Sequence, residues 1–93
     1  MTVYVDPLKT TPLNSNWPYV ESCHLTADSE AELHAFAAAI GMKREWFQRH
    51  HLMPHYDLTS NKRSAAVRHG AVEITRRQSY ERIKARRLEN KAP

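Results

Sequence analysis

The sequence predicts a mixed α/β (α+β) domain: a small sheet of about four short strands, two or three helices packed on it, and a C-terminal basic helix. Three observations carry this expectation. Helix starts are marked by side chains that cap backbone N–H groups, at Ser29, Thr59 and Thr75. Between them lie short runs rich in β-branched and aromatic residues, as strands require. Finally, the excess positive charge sits in one terminal stretch. Arg76, Arg77, Arg82, Lys84, Arg86, Arg87 and Lys91 face only Glu81 and Glu89 there, whereas residues 1–75 are slightly acidic. A compact domain over 1–75 and a basic helical tail over 76–93 follow from that division.

Val3-Tyr4-Val5 reads as a buried strand closed by Asp6-Pro7. Lys9 to Pro18, with its prolines and asparagines, reads as an exposed loop anchored by Trp17 and Tyr19. Tyr19 to Thr26 alternates as a second strand and carries His24 and Asp28 toward its end. Ser29-x-x-Glu32 opens a helix whose stripe is Leu33, Phe36, Ala37 and Ile40, and Gly41 ends it. His34 lies beside that stripe. Lys43 to Arg49 suggests a further helical turn bearing Trp46 and Phe47, followed by a loop from His50 to Pro54.

His55-Tyr56-Asp57-Leu58 reads as a strand that puts His55 and Asp57 on one face and Tyr56 and Leu58 on the other. Thr59 caps a helix over Ser60 to His69, which Gly70 stops. Ala71 to Thr75 forms the fourth strand. Thr75-x-x-Gln78 opens the tail helix, whose narrow stripe of Tyr80, Ile83, Arg87 and Leu88 calls for a docking surface.

A chain of 93 residues builds one thin core, so association with a second copy, a homo-oligomer, is an expectation. The lone Cys23 cannot form an internal disulfide and reads as a small buried hydrophobe. No basic leader and no membrane-length apolar run is present, and the expected location is cytoplasmic with no membrane partner. With glycine only at 41 and 70, a P-loop or a dinucleotide-binding turn is excluded.

Two chemistries suit the remaining polar residues. The first, and the expected function, is recognition of a phosphate-bearing ligand, a nucleotide or nucleic acid, by a binding module, with His24, His34, Arg44, His55, Asp57, Ser60, Lys62 and Arg63 as the ligand-binding candidates. The N-terminus of the helix after Thr59 attracts anions, and Ser60, Lys62 and Arg63 add donors beside His55. The second is metal-dependent phosphoester or nucleic-acid hydrolysis. His24, His55 and Asp57 have donor types that suit Zn²⁺, Mn²⁺ or Fe²⁺, so a divalent metal is the one cofactor the residues invite. Without a metal, His34 or His55 could act as general base, oriented by Asp28 or Asp57. In the tail, Arg76, Arg77, Arg82, Lys84, Arg86 and Arg87 suit nucleic-acid phosphates. The tail and the Trp46-Phe47 surface could alternatively occupy a host protein.

The strings T-V-Y-V-D, C-H-L-T-A-D, E-L-H-A-F-A-x-x-I-G, R-x-W-F-Q, H-Y-D-L and K-R-x-A-A-V-x-x-G-A-V-E-I-T, in this order, resemble an uncharacterised domain family of short phage and bacterial proteins. The resemblance runs from about Thr2 to Gln78. It implies shared polar positions at Asp6, His24, Asp28, His34, Arg44, His55, Asp57 and Arg63. Relatives have a shorter segment between W-F-Q and H-Y-D, which sets His50 and His51 apart from that pattern. Some relatives look joined to a metal-dependent phosphohydrolase domain of the HD type, which leans toward nucleotide metabolism or phage–host conflict.

Overall fold

The computed structural model describes residues 2–11 and 18–91. Its elements run β1 (Val3–Val5), β2 (Lys9–Thr10), β3 (Glu21–Ala27), α1 (Glu30–Ala39), a 3-10 turn (Arg44–Trp46), β4 (Phe47–Gln48), β5 (His55–Leu58), α2 (Ser60–Arg68), β6 (Val72–Glu73) and α3 (Arg76–Lys91). The α+β class expected from the sequence is what the chain adopts. Two of the six strands were not expected: Lys9–Thr10 falls in the anticipated loop, and Phe47–Gln48 in the anticipated helical turn, of which only Arg44–Trp46 winds. Each is two residues long and exists through its cross-strand partner, Ser22 and Glu21 for β2, Tyr56 and His55 for β4. Such pairing leaves no local signature. Trp17 lies outside the described residues.

The sheet order is β4-β5-β3-β1-β6, with β2 also on β3. All pairings are antiparallel except β1 with β6. The parallel pairing follows from connectivity: β5 runs with β1, so α2 crosses over β3 and β1 to deliver β6 alongside. Val5 pairs with Leu25 and Lys9 with Ser22. Asp6, Pro7 and Leu8 therefore stand opposite only Cys23 and His24, a bulge of one extra residue on this edge of β3.

Alternation on the strands divides the sheet into two faces. One face presents Val3, Val5, Cys23, Leu25, Tyr56 and Leu58, which bury against Leu33, Ala37 and Ile40 of the α1 segment and Ala66 of α2. Leu25, Leu58 and Leu33 are essentially inaccessible, so truncating any one to alanine should cost about 2–5 kcal/mol. Cys23 lies in this layer with its thiol pushed up to about 12 by burial, an inert packing group as expected.

The N-cap bonds form as the sequence indicates, although Glu32 returns no bond to Ser29 and its Oε1 is buried without a partner among the described residues. Ser29 Oγ accepts from the Glu32 N–H, Thr59 Oγ1 from Lys62, and Thr75 and Gln78 exchange both bonds of a capping box. Gly41 and Gly70 have positive φ where α1 and α2 end. At the end of α1, Lys62 Nζ donates to the Ile40 carbonyl at 2.7 Å, a cation on the negative end of a helix.

The opposite face carries Tyr4, Ser22, His24, Thr26, His55 and Asp57. Helix α3 reaches this face through Arg82, whose guanidinium lies 3.9 Å over the Tyr4 ring and donates to Thr26 Oγ1 and the Ala27 carbonyl. Of the anticipated stripe only Ile83 is half-buried: Tyr80, Arg87 and Leu88 remain exposed. No described helix is long and apolar enough to cross a membrane.

Candidate metal centre

His24 and Asp57 are cross-strand partners on β3 and β5, and His55 stands two residues from Asp57 on the same face. The pleat therefore gathers two imidazoles and a carboxylate. His24 Nε2 lies 3.8 Å and His55 Nε2 3.5 Å from Asp57 Oδ1, and one ligand atom from each residue falls within 4.8 Å of the others. The two rings meet edge to face, with centroids 4.7 Å apart.

What each imidazole does at its other nitrogen fixes its chemistry. His55 Nδ1 lies 2.9 Å from the Met53 carbonyl. A carbonyl only accepts, so Nδ1 carries the proton and the Nε2 lone pair faces Asp57. Burial pushes the His55 imidazole below its ordinary value; the Met53 carbonyl opposes this and neighbouring His24 adds to it. His55 is therefore neutral at neutral pH.

His24 Nδ1 is 2.8 Å from Asp6 Oδ2, while Asp6 Oδ1 accepts the His24 backbone N–H at 2.7 Å. Burial works to raise the Asp6 carboxyl, but the His24 side-chain and backbone hydrogen bonds outweigh it and hold Asp6 below the usual carboxylate value. Asp6 is thus an acceptor that keeps the proton on His24 Nδ1. Its placement comes from the bulge, and Arg63 Nε pins the bulge by donating to the Asp6 carbonyl at 2.9 Å.

Two Nε2 lone pairs and a carboxylate oxygen consequently point into one space. Three electron-rich atoms at this separation repel unless a cation or a proton lies among them. Imidazoles held through Nδ1–H by a carboxylate or a carbonyl, with Nε2 turned inward, are the arrangement found around metal-ligating histidines. Two imidazoles and one carboxylate suit a divalent transition ion such as Zn²⁺, Mn²⁺ or Fe²⁺. Among the described residues this is the one group with such spacing.

A cleft of about 850 Å³ opens beside the cluster, with His24 and Asp57 in its wall alongside Lys9, Trp46, Thr59 and Lys62. That volume accommodates a ligand the size of a nucleotide. Thr59, at the N-terminus of α2, brings the positive end of that helix to the cleft.

The other residues singled out in the sequence lie elsewhere. His34 is on the helix-covered face, its Nδ1 2.8 Å from the Tyr56 hydroxyl and its Nε2 3.2 Å from Glu30. Asp28 accepts from the Thr2 N–H and the Tyr4 hydroxyl, and so orients neither His34 nor His55. Arg44 is exposed and stacks over Phe47, and Ser60 is exposed at the start of α2. Lys62 and Arg63 are engaged within the fold, Arg63 with Asp6 and with Glu73 at 3.0 Å. In α3, Arg82 is turned inward and Arg86 is half-buried, while Arg76, Arg77, Lys84 and Arg87 are exposed.

Sequence reasoning missed the Met53 carbonyl, since any residue could supply it. His50 also comes near, its ring centroid 6.4 Å from that of His55, with Nδ1 accepting from the Leu52 and Met53 N–H groups. Neither a curated protein nor a solved structure is significantly similar to the chain. The family model described as "Protein of unknown function (DUF4031)" matches residues 3–86, a span that holds the bulge, all three converging side chains and most of α3. The chain belongs to this family of unknown function.

Proposed function

We propose that this protein is a metal-dependent phosphoesterase that holds one divalent cation between His24, His55 and Asp57 and takes a phosphate ester in the adjoining cleft. The observation that carries the reading is the convergence of two Nε2 lone pairs and a carboxylate, each imidazole fixed by an acceptor at Nδ1. A divalent cation there supplies Lewis acidity toward a phosphoryl oxygen. The chain's own groups supply the rest. Lys9 and the N-terminal end of α2 offer positive groups to an anionic substrate in a wall that also holds Glu45 and Asp57. Trp46, 44% exposed in that wall, offers a flat surface to a base or aromatic leaving group.

A binding module that recognises phosphate without turnover is the second reading. It is favoured by the same helix end at Thr59, which needs no ion to attract an anion. One set of measurements separates the two. Metal content is determined by elemental analysis, and hydrolysis of bis(p-nitrophenyl) phosphate is followed with added Zn²⁺ or Mn²⁺. The hydrolytic reading expects one bound ion per chain and turnover abolished by His55→Ala. Stoichiometric metal with no turnover on any phosphodiester supports the binding module, and a chain that takes up no metal ends the metal-centre reading.

A further inference from the structure

Helix α3 has an exposed face whose charge is not explained by the fold or by the metal centre. Its orientation is fixed by Arg82, which the Tyr4 ring, Thr26 and Ala27 hold against the sheet. Ser79 and Arg86, one turn to either side, and the adjacent Ile83 are likewise half-buried. At about 100° per residue, the side of the helix opposite Arg82 is made by Arg76, Arg77, Tyr80, Lys84 and Arg87, which fall within an arc of about 100°. All five are exposed, and Tyr80 is 57% accessible. Glu81 and Glu89 fall outside this arc. A helix that is net basic in composition thus segregates its charges, with four cations around one aromatic ring on one face and both acids beyond it.

We infer that this face of α3 is a nucleic-acid binding surface that contacts the phosphate backbone through Arg76, Arg77, Lys84 and Arg87. The four cations are spread over about 16 Å of helix axis, a length along which each strand of a duplex carries one phosphate charge per about 3.4 Å. Tyr80, at the centre of the patch, adds a ring that packs on sugar or base. Arg82 and Arg86 are scaffold in this assignment and not contacts: the first fixes the helix on the sheet, and the second shares its inward side. The surface needs nothing from His24, His55 or Asp57, so it stands or falls apart from the hydrolytic reading.

The salt dependence of binding tests the assignment, because it counts phosphates. Binding of the full chain to a fluorescently labelled 20-base-pair DNA duplex is measured by anisotropy between 50 and 200 mM KCl. Four contacts give a slope of log affinity against log salt of about −3.6, and a weakening of about 150-fold across that range. The double variant Arg77→Gln/Lys84→Gln should reduce the slope by about two. Arg49→Gln/Arg68→Gln changes the net charge equally at exposed positions outside α3 and should leave the slope unchanged. Circular dichroism confirms that both variants fold. Equal loss of slope in the two double variants, absence of duplex binding at 50 mM KCl, or tighter binding to phosphatidylserine vesicles than to the duplex would each overturn the inference.

Discussion

Asp6 is not a ligand in the centre described here, yet its replacement by asparagine should weaken metal binding in a way that the hydrogen-bond pattern dictates. Asp6 receives two contacts from His24: the backbone N–H at Oδ1, 2.7 Å, and ring Nδ1 at Oδ2, 2.8 Å. The backbone N–H is an obligate donor, so an asparagine at position 6 must turn its oxygen to it and leave its NH₂ group facing the ring. Nδ1 must then accept. The His24 proton moves to Nε2, where it points toward Asp57 and masks the lone pair that a cation needs. Loss of such an outer partner lowers metal affinity about 10- to 100-fold, equivalent to about 1.4–2.8 kcal/mol. Titration calorimetry with Zn²⁺ on metal-free protein measures the affinity. Long-range ¹H–¹⁵N correlation spectra of the imidazoles report which His24 nitrogen carries the proton. Wild type should show the Nδ1–H form and Asp6→Asn the Nε2–H form, with an otherwise native spectrum. An unaltered tautomer together with unaltered Zn²⁺ affinity would refute the reasoning, because the two Asp6 contacts would then have no bearing on the site.

Three further outcomes follow from the packing. Gly41→Ala should destabilise the fold by about 1 kcal/mol or more, since a β-carbon at φ 83° is strained and would meet Lys62 Nζ at 2.9 Å; urea unfolding measures this. Arg82→Ala should cost about 2 kcal/mol by removing the stacked contact with Tyr4 and the bonds to Thr26 and Ala27, seen as a drop in Tm of roughly 10 °C and increased amide exchange in α3. Metal-free protein should lose stability as pH falls below about 6.5. The His55 value is lower in the fold than its ordinary 6.5, so the unfolded chain takes up that proton first; the contribution is full above 6.5 and declines below it. The Asp6 contribution, from a carboxyl held below 3.8, persists to much lower pH and is lost only beneath that value. Melting curves at pH 7.5 and 5.5 check the former, and His55→Gln should flatten the difference.

The parts of this molecule that were legible in its sequence are those set by short-range rules. Ser29, Thr59 and Thr75 cap helices because hydroxyl oxygens reach N–H groups three residues on, and Gly41 and Gly70 end them because left-handed backbone is cheap only there. Period-two alternation by itself places His55 and Asp57 on one face. What alternation could not supply was register. His24 meets Asp57 only because β3 and β5 pair with Cys23 opposite Leu58, a choice made by the apolar side chains of the other face. The strands β2 and β4 have no sequence signature for the same reason, being two residues each and dependent on neighbours distant in sequence. The stripe of Tyr80, Ile83, Arg87 and Leu88 on the tail helix holds only at Ile83, because the main contact with the sheet is made by a cation, Arg82.

Lys62 and Arg63 show why residue type alone could not separate ligand contacts from scaffold. An ammonium and a guanidinium at the start of a helix that favours anions both suit phosphate. In the fold the same donors meet carbonyl oxygens that would otherwise be underserved: Ile40 at the end of α1 for Lys62, and Asp6 in the bulge for Arg63. The second contact reaches the candidate metal centre indirectly. Arg63 holds the Asp6 backbone and, through Glu73, ties the β1 edge to β6; Asp6 holds the His24 ring; the ring presents its Nε2 to the shared space. A chain of contacts of this kind propagates position and not charge. It follows that Arg63→Lys, which keeps the charge but cannot reproduce the forked geometry that spans Asp6 and Glu73, should disturb the centre nearly as much as Arg63→Met.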